Sequence, residues 1–332
     1  MTTADGPLSL DVLRLDAERA TQEITESLRA IVLGAMRRRG AVVALSGGID
    51  SSVCVALCAT AFGPERVLAL LMPEAESADE TLELSRVVAG HYGVETALED
   101  ISALLEAAGC YRRRDEAIRQ VLPEYGKGWR AKIALPSLLG GDRFRLFAVV
   151  AESPDGERRE ARLTAEAYRE VVAATSFKQR TRKMFEYYYA DRNHFAVVGT
   201  PNRLEYDQGF FVKNGDGAAD IKPIAHLYKT QVYQLAEHLG VPETVRSRPP
   251  TTDTYALPQS QEEFYFSVPY ETMDLCLYAH NCGIAAAAVA DAVGLSEEDV
   301  ERVFNDIETK RRATAYLQMS PQLVQPVPEI ER

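Results

Sequence analysis

Apolar positions along the chain alternate between two periods. Between residues 9 and 39, Leu10, Leu13, Ile24, Leu28, Ile31 and Leu33 recur at helical spacing. The stretch closes in Arg37-Arg38-Arg39-Gly40, cations and a glycine of the kind that end a helix. The run 41–46, AVVALS, is continuously apolar and β-branched and predicts a buried strand; it passes through Gly47-Gly48 into a helix opened by Asp50, Ser51 and Ser52. The pattern repeats as a strand over 66–72, a helix over 79–92 and a short strand at 94–98, and again as a helix over 171–193 and a buried strand over 194–200. Strands alternating with helices pair in parallel through right-handed crossovers. The expected fold is therefore α/β: a doubly wound, mainly parallel sheet with helices on both faces and ligands at the carboxyl ends of its strands.

Two regions depart from this alternation within what reads as a single domain over 1–332. Residues from about 109 to 170 hold YRRRD (111–115), a Gly/Pro-containing stretch and FRLFAVVAESPDGERREARLTA, a hairpin pattern around Pro154-Asp155-Gly156. This interval is an insertion on the core fold, and its arginines read as a solvated face. Beyond 226 helical spacing dominates, with a Pro-rich loop at 247–259, a helical C-terminal region at about 264–318 and a short Pro-containing tail at 319–332. Tyr187, Tyr188 and Tyr189 read as packing or a subunit contact.

Composition narrows the chemistry. With 332 residues, 46% hydrophobic and 26% charged, the chain can bury a full core. A net charge of -12 with only short basic runs offers no footprint for a phosphate backbone, so nucleic acid is not an expected partner. Five cysteines, odd in number and without a C-x-x-C pair, and five histidines without an H-x-x-x-H pair indicate neither a disulfide framework nor a zinc site. Cys54 and Cys58 read as small buried thiols on one helix. The N-terminus has no basic and apolar leader pattern, and no window reaches the roughly 18 apolar residues of a membrane span, so the expected location is the cytoplasm.

Ser46-Gly47-Gly48-Ile49-Asp50-Ser51-Ser52 stands at the junction of strand and helix, where free backbone N–H groups and the positive helix end form an anion site. The glycines admit a phosphate closely. Unlike a G-x-x-x-x-G-K-[ST] loop this one carries no lysine and offers an acid, Asp50, which makes sense beside phosphates if it helps hold Mg²⁺. The loop resembles the PP-loop class of enzymes that cleave ATP between its α and β phosphates, and the GMP, argininosuccinate, asparagine and tRNA-lysidine synthetases look similar there.

A longer block is more specific. Val198-Gly199-Thr200-Pro201-Asn202-Arg203-Leu204-Glu205, Gly209 through Ile224 (GFFVKNGDGAADIKPI) and Leu227-Tyr228-Lys229-Thr230-Gln231-Val232 resemble the NAD synthetase family, ammonia-dependent type. Lys178-Gln179-Arg180-Thr181-Arg182 is similar to that family's arginine-bearing helix and Thr309-Lys310-Arg311-Arg312 to its C-terminal lysine motif. The resemblance covers about residues 20–100 and 171–318. It implies an adenine nucleotide alpha hydrolase-like fold and an ATP-dependent amide ligase that adenylates the nicotinate carboxylate of deamido-NAD and transfers it to ammonia. It further implies that Ser46, Gly47, Gly48, Ile49, Asp50, Ser51 and Ser52 cradle pyrophosphate, that Asp50 and Glu205 ligate Mg²⁺, and that Thr200, Lys229 and Thr251 contact ATP. Asp50, Glu205 and Lys229 are the implied catalytic set, and Arg180, Lys213, Asp220 and Lys310 would hold deamido-NAD. A homodimer is implied as well.

Each of these residues has a plainer reading: Lys229 alone would be a solvated position on an amphipathic helix, and Glu205 a loop acid. The chain also departs from the family pattern at Val212 (usually threonine), Ser176 (asparagine), Gln259-Ser260-Gln261-Glu262 (Gln-x-Asp-Glu) and Thr309 (histidine). These changes fall near the acyl-substrate end, which keeps an NAD-synthetase-like amide ligase acting on a different carboxylate as the alternative. The chain leaves no room for a glutaminase domain, so the expected nitrogen source is free ammonia or a separate glutaminase.

Overall fold

The computed structural model describes residues 8–135, 138–139, 147–249, 255–260 and 262–330. After a 3₁₀ turn at Leu10–Leu13, helix α1 (Ala17–Leu28) widens into a π turn at Arg29–Ala35 and leads to β1 (Ala41–Ala44). There follow α2 (Ile49–Phe62), β2 (Val67–Leu71), α3 (Asp79–Tyr92), β3 (Glu95–Leu98), α4 (Ser102–Ala107) and α5 (Cys110–Arg119). Three further strands, β4 (Arg130–Ala134), β5 (Ala148–Glu152) and β6 (Arg158–Arg162), precede the long helix α6 (Ala165–Asn193) and β7 (Ala196–Val198). The rest is helical: α7 (Arg203–Gln208), α8 (Lys229–His238), α9 (Glu243–Arg246), α10 (Tyr270–Cys282), α11 (Ala286–Val293) and α12 (Glu297–Gln318).

The central sheet is parallel throughout, in the order β3-β2-β1-β7. Because successive side chains of a strand point to opposite faces, β1 feeds two cores. Ala41, Val43 and Leu45 meet α2, α3 and α8 on one face, while Val42 meets Ile101 just before α4, Leu105 of α4 and Ala190 of α6 on the other. Both faces being covered is why AVVALS is apolar at every other position and in between. Val43 and Val53 are fully buried, each worth about 1.5–3 kcal/mol in apolar surface withdrawn from water. Cys54 and Cys58 are likewise fully buried in α2.

Three boundaries differ from the periodicity. The helical stretch from 9 to 39 breaks at 14–16, because the Asp16 carboxylate accepts from Arg19 N (3.1 Å) and starts a new helix there. Helix α6 begins six residues before 171, where the Thr164 hydroxyl caps it by accepting from Ala167 N (3.1 Å). The pattern also missed β4, whose only buried side chains, Ala131 and Ile133, are too few to signal a strand by themselves; pairing with β5 supplies the rest.

Strands β4, β5 and β6 form a separate antiparallel sheet, and its β5–β6 turn is the Pro154-Asp155-Gly156 hairpin, with Gly156 at φ 82°. The small sheet packs Ile133 and Val149 on Ile118 of α5, on Leu122 just after it and on Val171 of α6. The YRRRD segment is not a uniformly solvated face. Arg114 is buried and bonds both Glu76 oxygens (2.6 Å each), because the carboxylate offsets the cost of withdrawing its charge from water. Among the described residues no helix is long and apolar enough to cross a membrane.

Candidate active site

Beyond the carboxyl end of β1 the chain turns through Gly47 at φ 68° into α2. A Cβ there would lie 2.8 Å from the Thr81 carbonyl oxygen, so only glycine allows α3 to pack this close to the loop. Gly48 caps the helix, and the Ser51 and Ser52 hydroxyls donate to its carbonyl (3.0 and 2.8 Å), bracing the turn from within. The start of this 14-residue helix opens into a cavity of about 160 Å³ bounded by Ser46 through Ser51, Thr200 and Glu205.

Two other segments deliver charge to the loop. After β7, Asn202-Arg203-Leu204-Glu205 forms a reciprocal cap on α7: Asn202 Oδ1 accepts from Glu205 N (3.2 Å), and Glu205 Oε2 accepts from Asn202 N (3.1 Å). The fully buried Asn202 then uses its remaining amide hydrogens to donate to Asp50 Oδ1 (3.1 Å). From the other side Lys229, the first residue of α8 and fully buried, makes an ion pair with Asp50 Oδ2. Asp274 on α10 sets this lysine by accepting from Lys229 N (3.1 Å) and Thr230 N (2.7 Å), a carboxylate at a helix N-terminus.

The electrostatics follow from this packing. Desolvation, then the neighbouring Asp50 carboxylate, pushes the Glu205 carboxyl up to about 8, with Lys229 opposing. Burial would lower Lys229, but Asp50 and Glu205 outweigh it and hold the ammonium above its ordinary value. Burial raises Asp274 to about 6 against the N–H groups that favour its charge.

A second cavity of about 420 Å³ adjoins the first, sharing Ser46, Thr200 and Glu205 with it, and extends along α6. Near its β2 side lies a buried ion cluster. Lys178 Nζ donates to Glu74 (2.9 Å) and Glu76 (2.7 Å), Arg114 completes Glu76, and the Tyr111 hydroxyl donates to Glu74 (2.6 Å).

Ser46 through Ser51, Thr200 and Glu205 thus meet at one cavity, with Ser52 behind the loop and Lys229 behind Asp50. Thr251 lies outside the described residues. Arg180 and Lys213 adjoin one another, Arg180 Nε donating to the Lys213 carbonyl (3.3 Å), while Lys213 Nζ donates to the Tyr316 carbonyl (2.8 Å). Lys310 sits elsewhere, on the Tyr265 carbonyl (2.6 Å) and Asp306 (2.6 Å). Asp220 accepts from Val197 N (2.8 Å) at the sheet edge. None of these four lines the larger cavity, whose basic wall is Lys178, Arg182 and Lys183. Sequence reasoning assigned no role to Asn202 or Asp274. The N-x-x-E spacing of Asn202 and Glu205 is a legible capping signal, whereas nothing local to Asp274 points to α8.

A parallel α/β sheet whose first strand ends in a serine-glycine loop, faced by two carboxylates and a buried lysine, defines a nucleotide-dependent enzyme of the PP-loop kind. The family model described as NAD synthase matches residues 20–121 and 156–314, and the chain belongs to that family. The NH(3)-dependent NAD(+) synthetase of Rhizobium rhizogenes is 57% identical over 320 residues, covering 96% of each chain. That of Thermotoga maritima is 36% identical over 240 residues, covering 72% of this chain and 79% of its own. Among solved structures, NMN synthetase from Francisella tularensis superposes with a TM-score of 0.64 at 20% identity, covering 93% of this chain and 99% of its own. NH3-dependent NAD synthetase from Campylobacter jejuni does so with 0.61 at 20% identity, covering 94% and 100%. Both share the fold.

Proposed function

We infer that this chain is an ATP-dependent carbon–nitrogen ligase that converts deamido-NAD, ATP and ammonia into NAD, AMP and pyrophosphate. The observation that carries this reading beyond kinship is the joining of Asp50, Glu205, Asn202 and Lys229 at the serine-glycine loop. A nicotinate carboxylate oxygen attacks the α-phosphorus, and pyrophosphate leaves with the bonding electron pair. Ammonia then attacks the acyl carbon, AMP departs with the electron pair of the acyl–oxygen bond, and the nitrogen gives up a proton to solvent. The Gly47–Ser51 backbone and the α2 N-terminus bind the pyrophosphate, and Thr200 contacts the nucleotide. Lys229 remains protonated and places positive charge where negative charge accumulates. Thr251 is assigned to ATP on family resemblance.

Two adjoining carboxylates, one with a strongly raised proton affinity, fit a hard cation. Mg²⁺ takes one or two carboxylates together with phosphate oxygens, and the two acids that line the cavity at the serine-glycine loop are donors of that kind. Asp50 and Glu205 would hold it, and when bound it supplies charge neutralisation on the phosphates.

Arg180, Lys213, Asp220 and Lys310 are assigned to deamido-NAD. A homodimer would complete the site around the adjoining Arg180 and Lys213, and Met184 and Tyr188 on α6, each 55% exposed, offer apolar surface for it to cover. Ammonia enters free or from a separate glutaminase, and the reaction is placed in the cytoplasm.

The direct test is pyrophosphate release with ATP, Mg²⁺ and ammonium, comparing deamido-NAD with a panel of other carboxylates, including its mononucleotide half. AMP and NAD should form one for one with deamido-NAD. Turnover confined to another carboxylate would replace this reading by the alternative amide ligase. Lys213→Met keeps the aliphatic stem but removes the cation that a doubly phosphorylated anion requires. It should raise KM for deamido-NAD far more than KM for ATP; equal rises would assign Lys213 to ATP or to folding.

A further inference from the structure

The family model leaves out residues 122–155, the interval that carries β4 and β5, yet this segment reaches the larger cavity. Phe147, immediately before β5, lines that cavity and stacks on Tyr168 of α6, ring centroids 4.2 Å apart and planes 17° from parallel. We propose that Phe147, supplied by the inserted sheet, is a specificity-determining residue for the acyl substrate. In this role the Phe147–Tyr168 stack forms an aromatic wall of the cavity against which the flat pyridine ring of deamido-NAD rests with its carboxylate directed toward the loop.

The assignment to the acyl substrate rather than to ATP follows from which walls are continuous. Phe147 and Tyr168 belong to one apolar cluster with Val172, Tyr255 and Phe264. Phe264 approaches Phe210 (5.8 Å), and Phe210 stacks on Tyr265 (4.6 Å). This aromatic chain runs into the Gly209–Val212 segment just beyond Glu205. Another wall, formed by Leu45 and Met72 just past β1 and β2 and by Ser85 of α3, whose hydroxyl donates to the Leu45 carbonyl (3.0 Å), lies beside the nucleotide loop and suits adenosine.

The inserted sheet is also held firmly enough to shape a pocket. Its hydrophobic face is shared with α5 and α6, and Glu152 of β5 pairs with Arg130 of β4 and with Arg158 of β6 (3.1 Å). The buried Lys178–Glu74–Glu76–Arg114 cluster ties α5, just ahead of this segment, to the loop after β2. A flat aromatic wall discriminates by shape and quadrupole, favouring a planar heteroaromatic acid over an aliphatic one of equal charge.

The proposal rests on deamido-NAD being the acyl substrate, and the experiment separates the two. The parent enzyme is first assayed with deamido-NAD; absence of turnover there overturns the functional reading and the proposal with it. Given parent turnover, Phe147→Ala should raise KM for deamido-NAD roughly 3- to 10-fold, the size of one aromatic contact, while KM for ATP stays within twofold. Phe147→Tyr should restore the parent value. If the alanine variant does not fold, Phe147→Leu, which keeps bulk but loses the plate, is read instead and should show the same split. An unchanged KM for deamido-NAD in the folded variant, or equal rises for both substrates, would overturn the role of Phe147 and leave the functional reading standing.

Discussion

Replacing Asp50 with asparagine should leave a folded protein whose AMP formation is reduced by roughly 10²-fold or more. The amide keeps the size of the side chain, and its oxygen can still accept from Asn202 Nδ2, so the loop and the α7 cap should persist. What disappears is a charge at the centre of the constellation. Lys229, fully buried, would then lose its ion-pair partner and keep Glu205 and Asp274 as neighbouring acids. Removing Asp50 also removes one of the influences that keep Glu205 protonated, so Glu205 should ionise more readily and compensate the lysine. That compensation is why activity should suffer more than stability. Calorimetry and single-turnover AMP release check the two halves separately; turnover within threefold of the parent would remove Asp50 from the chemistry.

Glu205→Gln should have the opposite effect on stability and a similar one on activity. The folded carboxyl titrates near 8, above its ordinary 4.5, so the ligand-free fold favours the protonated form. A raised value in the native state means a contribution fully present below about 4.5 that is lost as pH rises through about 8. Glutamine is neutral at every pH, and its carbonyl oxygen can still accept from Asn202 N. The variant's melting temperature without nucleotide should therefore exceed the parent's by a margin that grows from pH 6 to pH 8.5, while turnover falls by about 10²-fold or more. A margin that is flat with pH would mean that Glu205 is not the group responsible.

The chain's order of strands and helices was readable because both periods are local. β1 and β2 are apolar at every position since both of their faces are covered, and the predicted helix over 79–92 coincides with α3. The serine-glycine loop was readable for the same reason: its glycine, acid and hydroxyls are consecutive, and their position between a strand and a helix needs no distant partner. Local capping was legible but overlooked at Asp16, Thr164 and Asn202.

What stayed hidden depends on distance along the chain. Lys229 pairs with an acid 179 residues earlier, and the periodicity of its helix alone assigned it to solvent; only the packing of α8 on α2 and α10 shows it fully buried. Arg114 looked like one of three solvated arginines until Glu76, 38 residues away, was seen to receive it. Asp274 sits in an ordinary amphipathic stretch and acquires its role because α10 abuts the start of α8. By itself the sequence determined the α/β order, the phosphate-type loop and the family, since these are written in runs of neighbouring residues. The tertiary structure alone decided which charges meet, which are buried and what walls the cavity, because desolvation and ion pairing act between side chains that only folding brings within a few ångströms.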